Sequence, residues 1–264
     1  MSPLRWRPAS TVVLILTSLV GLVAFLWPFL ASPEFVAWAA QDTPWLFAIL
    51  LGLLAAVLLA EVTSGGLDAK TVALLGVLAA VGGGLRVLSA GTAGLEPIFV
   101  VLVLGGRVLG RSMGFLLGAL AVLAGAFLTA GVGPWLPFQM FGAGWVALGA
   151  ACLPRLTGRA ELTMLAAYGV LSGMAYGAML NLWFWPFLAP ATAPAGAAFI
   201  PGDPLTETIR HYATFYLATS LGWDLPRGVL TAVLVLIAGR PVMRTLRRAV
   251  RRAAFDAGPG TSPP

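Results

Sequence analysis

Residues 97–130 read PIFVVLVLGGRVLGRSMGFLLGALAVLAGAFLTA, two apolar runs joined through Arg107 and Arg111. How often this stretch crosses a bilayer sets the orientation of everything after it. A hydrocarbon core about 30 Å thick takes roughly 20 apolar residues per helix, and the second run, 112–130, is long enough. The first is short: ten residues separate Glu96 from Arg107, about 15 Å of helix at about 1.5 Å per residue. To cross, it must tilt, be shielded by other parts of the protein, or be extended by Arg107 and Arg111 snorkelling outward. The basic residues argue for crossing. Arg5 and Arg7, Lys70, Arg107 and Arg111, Arg155 and Arg159, and six arginines from Arg240 to Arg252 fall on alternate loops only if 97–110 spans. Lysine and arginine are retained on the cytoplasmic side, so omitting that span would send the C-terminal arginines to the wrong face.

Outward from this stretch, the sequence predicts an all-α integral membrane protein of about eight helices, at 11–31, 45–62, 71–88, 97–110, 112–130, 138–153, 162–188 and 223–240. Both termini are expected in the cytoplasm and the chain in the plasma membrane. Composition agrees: 59% of the 264 residues are hydrophobic and 10% charged, with a mean hydropathy of +0.92, which makes lipid the expected solvent. The net charge of +6 does not point to nucleic acid, because the arginines sit at the ends of apolar runs. A single cysteine, Cys152, allows no internal disulfide, and a single histidine, His211, no His-based metal cluster; no metal or cofactor is expected. The run 11–31 follows Arg5 and Arg7 as a signal peptide would, but it is long for one and holds Trp27 and Pro28 instead of a cleavage site, so an uncleaved helix is expected. From Arg240 onward a short amphipathic helix on anionic headgroups and a plain topology anchor are both consistent with the arginines. The last residues, Gly258 to Pro264, read as disordered.

Three features carry possible function. Gly76, Ala80 and Gly84 recur every four residues on one face of the third span, allowing close approach of another helix, internal or external. Arg86 near the end of that span and Glu96 at the start of the next are charges near membrane depth, which pair with each other or face a ligand. The stretch GPWLPFQM, 133–140, carries Pro134 and Pro137, and a helix broken there needs cover from protein or a water-filled cavity. Trp135, Phe138 and Gln139 would then line an outer mouth, with an interfacial aromatic belt as the simpler explanation. NLWFWPF, 181–187, brings Asn181, Trp183 and Trp185 to the same side. Rings with a few amides are the makeup of a small-molecule pocket. The loop 189–222 follows, with an interfacial helix from Thr206 to Leu221 and His211 as a further candidate contact. Asp224 reads as the N-cap of the last span, with Pro226 in its first turn.

No GxxxxGK[ST] phosphate loop is present, and the ten carboxylates are scattered, so neither ATP hydrolysis by this chain alone nor metal-dependent catalysis is expected and the chain reads as a non-enzyme. The run GGGLRVLSAGTAGLEPIFVVLVLGGRVLGRSMGFLLGAL, 82–120, followed by GPWLPFQM, NLWFWPF and TSLGWDLPRG, 219–228, resembles the substrate-specific S component of energy-coupling factor (ECF) vitamin transporters, an actinobacterial group in particular. The likeness implies a six-helix membrane core, here 63–240, that binds a vitamin or micronutrient tightly from outside. It implies docking on a transmembrane T component carrying two ABC-type ATPases, with Gly76, Ala80 and Gly84 as the docking stripe, and outer loops that form a lid. Segment 1–62 is then a two-helix extension outside the family pattern, and 241–264 a basic cytoplasmic tail. Flat rings stack on thiamine, riboflavin, folate or cobalamin alike, and the likeness alone points to cobalamin. A stand-alone small-solute transporter, an integral-membrane enzyme and a structural membrane subunit are the competing readings.

Overall fold

A computed structural model describes residues 8–29, 49, 51–56, 69–89 and 92–255. Arg5, Arg7, most of the expected span 45–62, part of the turn before Glu96 and the tail Gly258 to Pro264 lie outside the described residues. Within them all regular structure is helical. The helices are α1 (Pro8–Leu26), α2 (Ala69–Val87), α3 (Ile98–Leu109), α4 (Arg111–Leu128), α5 (Leu136–Cys152), α6 (Gly158–Phe184), α7 (Leu205–Thr219) and α8 (Leu221–Phe255). Five are long and apolar enough to cross a membrane: α1 with its extension to Phe29, α2, α4, α6 and α8. Helices α3 and α5 are apolar but shorter. This set is compatible with a multi-pass membrane protein.

The short helix α3 is accommodated by shielding. Its residues Phe99, Leu102, Val103, Leu104 and Leu109 are buried, covered by the helices packed around it. Gly110 alone joins it to α4. Its φ of 91° and ψ of −174° belong to a region essentially restricted to glycine, and this one-residue link folds α4 back so that Gly106 meets Gly114 and Gly105 meets Leu117. Missing side chains then set how closely the helices approach. A Cβ on Gly106 or Gly118 would collide with the Ala147 or Ala143 carbonyl of α5, and one on Gly173 of α6 with the backbone of Gly228 in α8. Such small-residue seams let the helix backbones approach closely.

On α2 the inward face is Leu75, Ala79, Gly82 and Gly83, the last two against Ala121 and Ala124 of α4. Gly76, Ala80 and Gly84 point out of the bundle and are exposed. Helix α8 differs from expectation. Its 35 residues, about 52 Å at about 1.5 Å per residue, run through Pro241, so the arginines after Arg240 continue the last span and do not form a separate helix. A proline removes one backbone donor, but Met243, Leu246 and Val250 beyond it stay buried and hold the helix together.

The end of the bundle that carries these arginines is closed by charge. The Glu161 carboxylate of α6 accepts from Arg107 Nε at 2.9 Å and from an Arg247 NH2 at 2.7 Å. The other Arg107 nitrogens donate to the Leu153 and Pro154 carbonyls, each at 2.8 Å. Arg107 therefore does not snorkel away; it ties α3 to the α5–α6 turn and, through Glu161, to α8.

Candidate functional site

At the opposite end, α5 starts at Leu136. Pro134 precedes the helix and Pro137 lies in its first turn, where the missing N–H would have no partner in any case. The stretch 133–140 is therefore a turn entering a helix, and its later half has regular backbone, contrary to the expectation of a broken one. Trp135 precedes α5, its indole N–H donating to the Gly131 carbonyl at 3.1 Å.

This start of α5 and the end of α6 border an open recess of about 350 Å³, lined by Trp135, Phe138, Gln139, Leu180, Asn181, Trp183 and Phe184. Trp183 meets Phe138 at 5.8 Å between ring centroids and Trp135 at 6.3 Å. Five expected contact residues, Trp135, Phe138, Gln139, Asn181 and Trp183, are thus together in one wall. Both amides are held. An Arg86 NH2 donates to Gln139 Oε1 at 2.5 Å, with the arginine stem lying along Gly125 of α4. Asn181 Nδ2 donates to Ser220 Oγ where α7 passes into α8.

Four expectations need correction. Arg86 and Glu96 do not pair. Glu96 opens α3, which packs on α8, and it accepts from an Arg227 NH2 at 2.6 Å. Gly94, at φ +85°, lies against the Trp223 carbonyl in the same loop, so the approach to α3 rests on the start of α8, away from the recess. Asp224 is not an N-cap, because α8 begins three residues earlier at Leu221; its buried carboxylate accepts from Arg227 NH1. Trp185 is 0% exposed but faces a separate aromatic core with Ala197, Phe199 and Phe215, its indole donating to the Ala197 carbonyl at 2.7 Å. The 3-10 turn Trp185–Phe187 at the end of α6 rotates it away from the recess. His211 turns to Asp203, Nδ1 to Oδ2 at 3.4 Å, and does not line the recess.

Arg227 is the functional-looking residue that sequence reasoning missed. It is 8% exposed, lies between the rings of Phe99 and Tyr176 at 5.4 and 5.3 Å, and donates to the Gly173 carbonyl at 3.3 Å as well as to the two carboxylates. An ionisable side chain inside an apolar span was a sufficient signal. Helix α7 lies against α6 at this end: Tyr212 donates to the Ala178 carbonyl, and its burial raises the phenol pKa above the ordinary range. Among the described residues no group of three or more His, Cys, Asp or Glu side chains is arranged to hold a metal ion. Comparisons with family models, curated proteins and solved structures find no match.

Proposed function

We propose that this chain is the solute-binding membrane subunit of an ATP-driven importer of the ECF type, capturing a vitamin-like small molecule at the aromatic end. The observation that carries this reading is the convergence of two distant segments, 135–139 and 180–184, on one open recess with rings for stacking and two immobilised amides for orientation. A few fixed polar groups in an apolar wall are what a small-molecule site requires. Its volume, about 350 Å³, is near the lower end of the ~300–1,000 Å³ typical of such sites, which favours a solute of one or two fused rings over a corrin.

The chain is a carrier and not an enzyme, and lacking a phosphate loop it takes its energy from partner ATPases through a T component. Exposure of Gly76, Ala80 and Gly84 supports α2 as the docking face, because close helix approach needs that stripe uncovered. Eight spans in the plasma membrane, with both termini in the cytoplasm, place the arginine end inside and the recess outside.

The test is to purify the chain in detergent and identify the co-purifying solute by mass spectrometry. Trp135→Ala and Asn181→Ala should each weaken its binding about tenfold, on the order of 1.4 kcal/mol, while leaving membrane insertion intact. Unchanged affinity in both variants rejects this recess as the site.

A further inference from the structure

The N-terminal helix is outside the six-helix pattern, yet its last turn and the 3-10 turn after it reach both the back of the recess wall and the separate aromatic core around Trp185. Along its length α1 is seated on α5. Gly21 leaves room for the Phe141 ring, and Trp145 Nε1 donates to Ser18 Oγ at 3.1 Å. Those contacts alone would make it an accessory anchor. Further along, Phe25 is 1% exposed and meets Phe138 edge-on at 5.1 Å, directly behind a ring that lines the recess. Two and four residues later the 3-10 turn Trp27–Phe29 sends rings to a different place. Trp27 meets Phe187 at 5.8 Å and Phe199 at 6.2 Å; Phe29 meets Tyr212 at 5.8 Å and Trp185 at 6.5 Å.

The segment that receives them, 185–204, leaves the recess wall at Phe184 and contains only two 3-10 turns. Its core is small, with Trp185, Ala197 and Phe199 from the segment and Phe215 from α7. A segment with so few buried apolar contacts opens locally at low cost unless something else holds it. The 3-10 turn that follows α1 supplies three ring contacts to this segment, Trp27 to Phe187 and Phe199 and Phe29 to Trp185, and a fourth to Tyr212 of α7.

We infer that α1 and the 3-10 turn after it serve the ligand site: Phe25 positions Phe138 in the recess wall, and Trp27 with Phe29 holds in place the 185–204 segment, which leaves that wall at Phe184. The inference rests on the recess being the binding site, and it deepens that reading by giving the N-terminal extension a task, retention of the bound solute. Phe25, Trp27 and Phe29 are positioning residues, acting through Phe138 and through the segment.

A ligand-free readout tests that hold on the segment. In the full-length chain with Cys152→Ala, the substitution Ala197→Cys places a thiol where the side chain is 0% exposed, and maleimide labels it slowly. Adding Trp27→Ala with Phe29→Ala should raise the labelling rate at least tenfold. A second reporter, Ala150→Cys in the buried face of α5, should stay protected. If both reporters are labelled the double variant has lost its fold, and Phe29→Leu alone then decides: it should raise labelling at position 197 about threefold with position 150 protected. An unchanged rate at position 197 in a folded variant overturns the inference. Because no ligand is needed, failure of the importer reading is seen separately, as a parent chain that co-purifies no solute. Where solute is present, Phe25→Ala should lower its retention at least fivefold through gel filtration, and full retention overturns the role of Phe25.

Discussion

At the arginine end, two guanidinium groups, Arg107 and Arg247, close on the one carboxylate of Glu161. At the aromatic end the ratio is inverted: one guanidinium, Arg227, lies between the carboxylates of Asp224 and Glu96 and is flanked by two rings. Both clusters join α3 to α8, the first through α6, and between them they fix the two ends of the shielded central helix. Their surroundings differ. The first is completed by backbone carbonyls of the α5–α6 turn. The second borders an end where side chains of α5 and α6 stand apart around a recess. A buried charge contributes little net stability but is costly to orphan, so these clusters serve chiefly to specify which helices meet. Both ends are thus tied by charge, and an open recess accompanies the cluster at the aromatic end only.

The largest test of that contrast is Glu161→Ala. It leaves Arg107, whose side chain is 7% exposed, without its counter-charge, and should cost about 3–5 kcal/mol in detergent unfolding experiments. A cost below about 1 kcal/mol would show that the arginine end is not clamped by charge. Next is Gly177→Ala. A Cβ there would occupy the space of the Asp224 carboxylate, and the displacement should cost about 1–3 kcal/mol; an unchanged melting temperature would mean that the aromatic-end cluster adapts freely. Smaller in stability is Ala80→Leu on the exposed stripe, expected to change unfolding by less than about 0.5 kcal/mol and to retain solute binding while cutting uptake several-fold. Wild-type uptake would remove that face from docking. Smallest is Arg210→Ala. Its pair with Glu207 at 2.5 Å is solvent-exposed on both sides and should contribute less than about 0.5 kcal/mol, the reference against which the buried clusters are measured.

Much of the helix layout was legible in the sequence because its causes are local. Apolar run length, Gly110 between two arginines and the prolines at 134 and 137 place α3, α4 and α5 within about two residues of expectation. The recess was legible for a related reason: rings and amides concentrated at the ends of two helices point to one surface whenever those helices are antiparallel neighbours. Trp185 and His211 were not assignable in this way. A 3-10 turn of three residues and the approach of His211 to Asp203, just before α7, decided where they face, and neither has a distinctive pattern.

Composition, periodicity and the spacing of arginines by themselves determined that the regular structure of the described residues is helical, with several helices of membrane-crossing length, and that the rings of 133–140 and 181–187 come to one end. Tertiary structure alone decided that Glu96 meets Arg227, 131 positions away, while Arg86 meets Gln139, and that Phe25 of α1 packs against Phe138. The physical reason is range. Hydrophobicity and backbone geometry act over a few residues, whereas a buried charge pairs with whichever opposite charge the glycine seams between helices bring within reach.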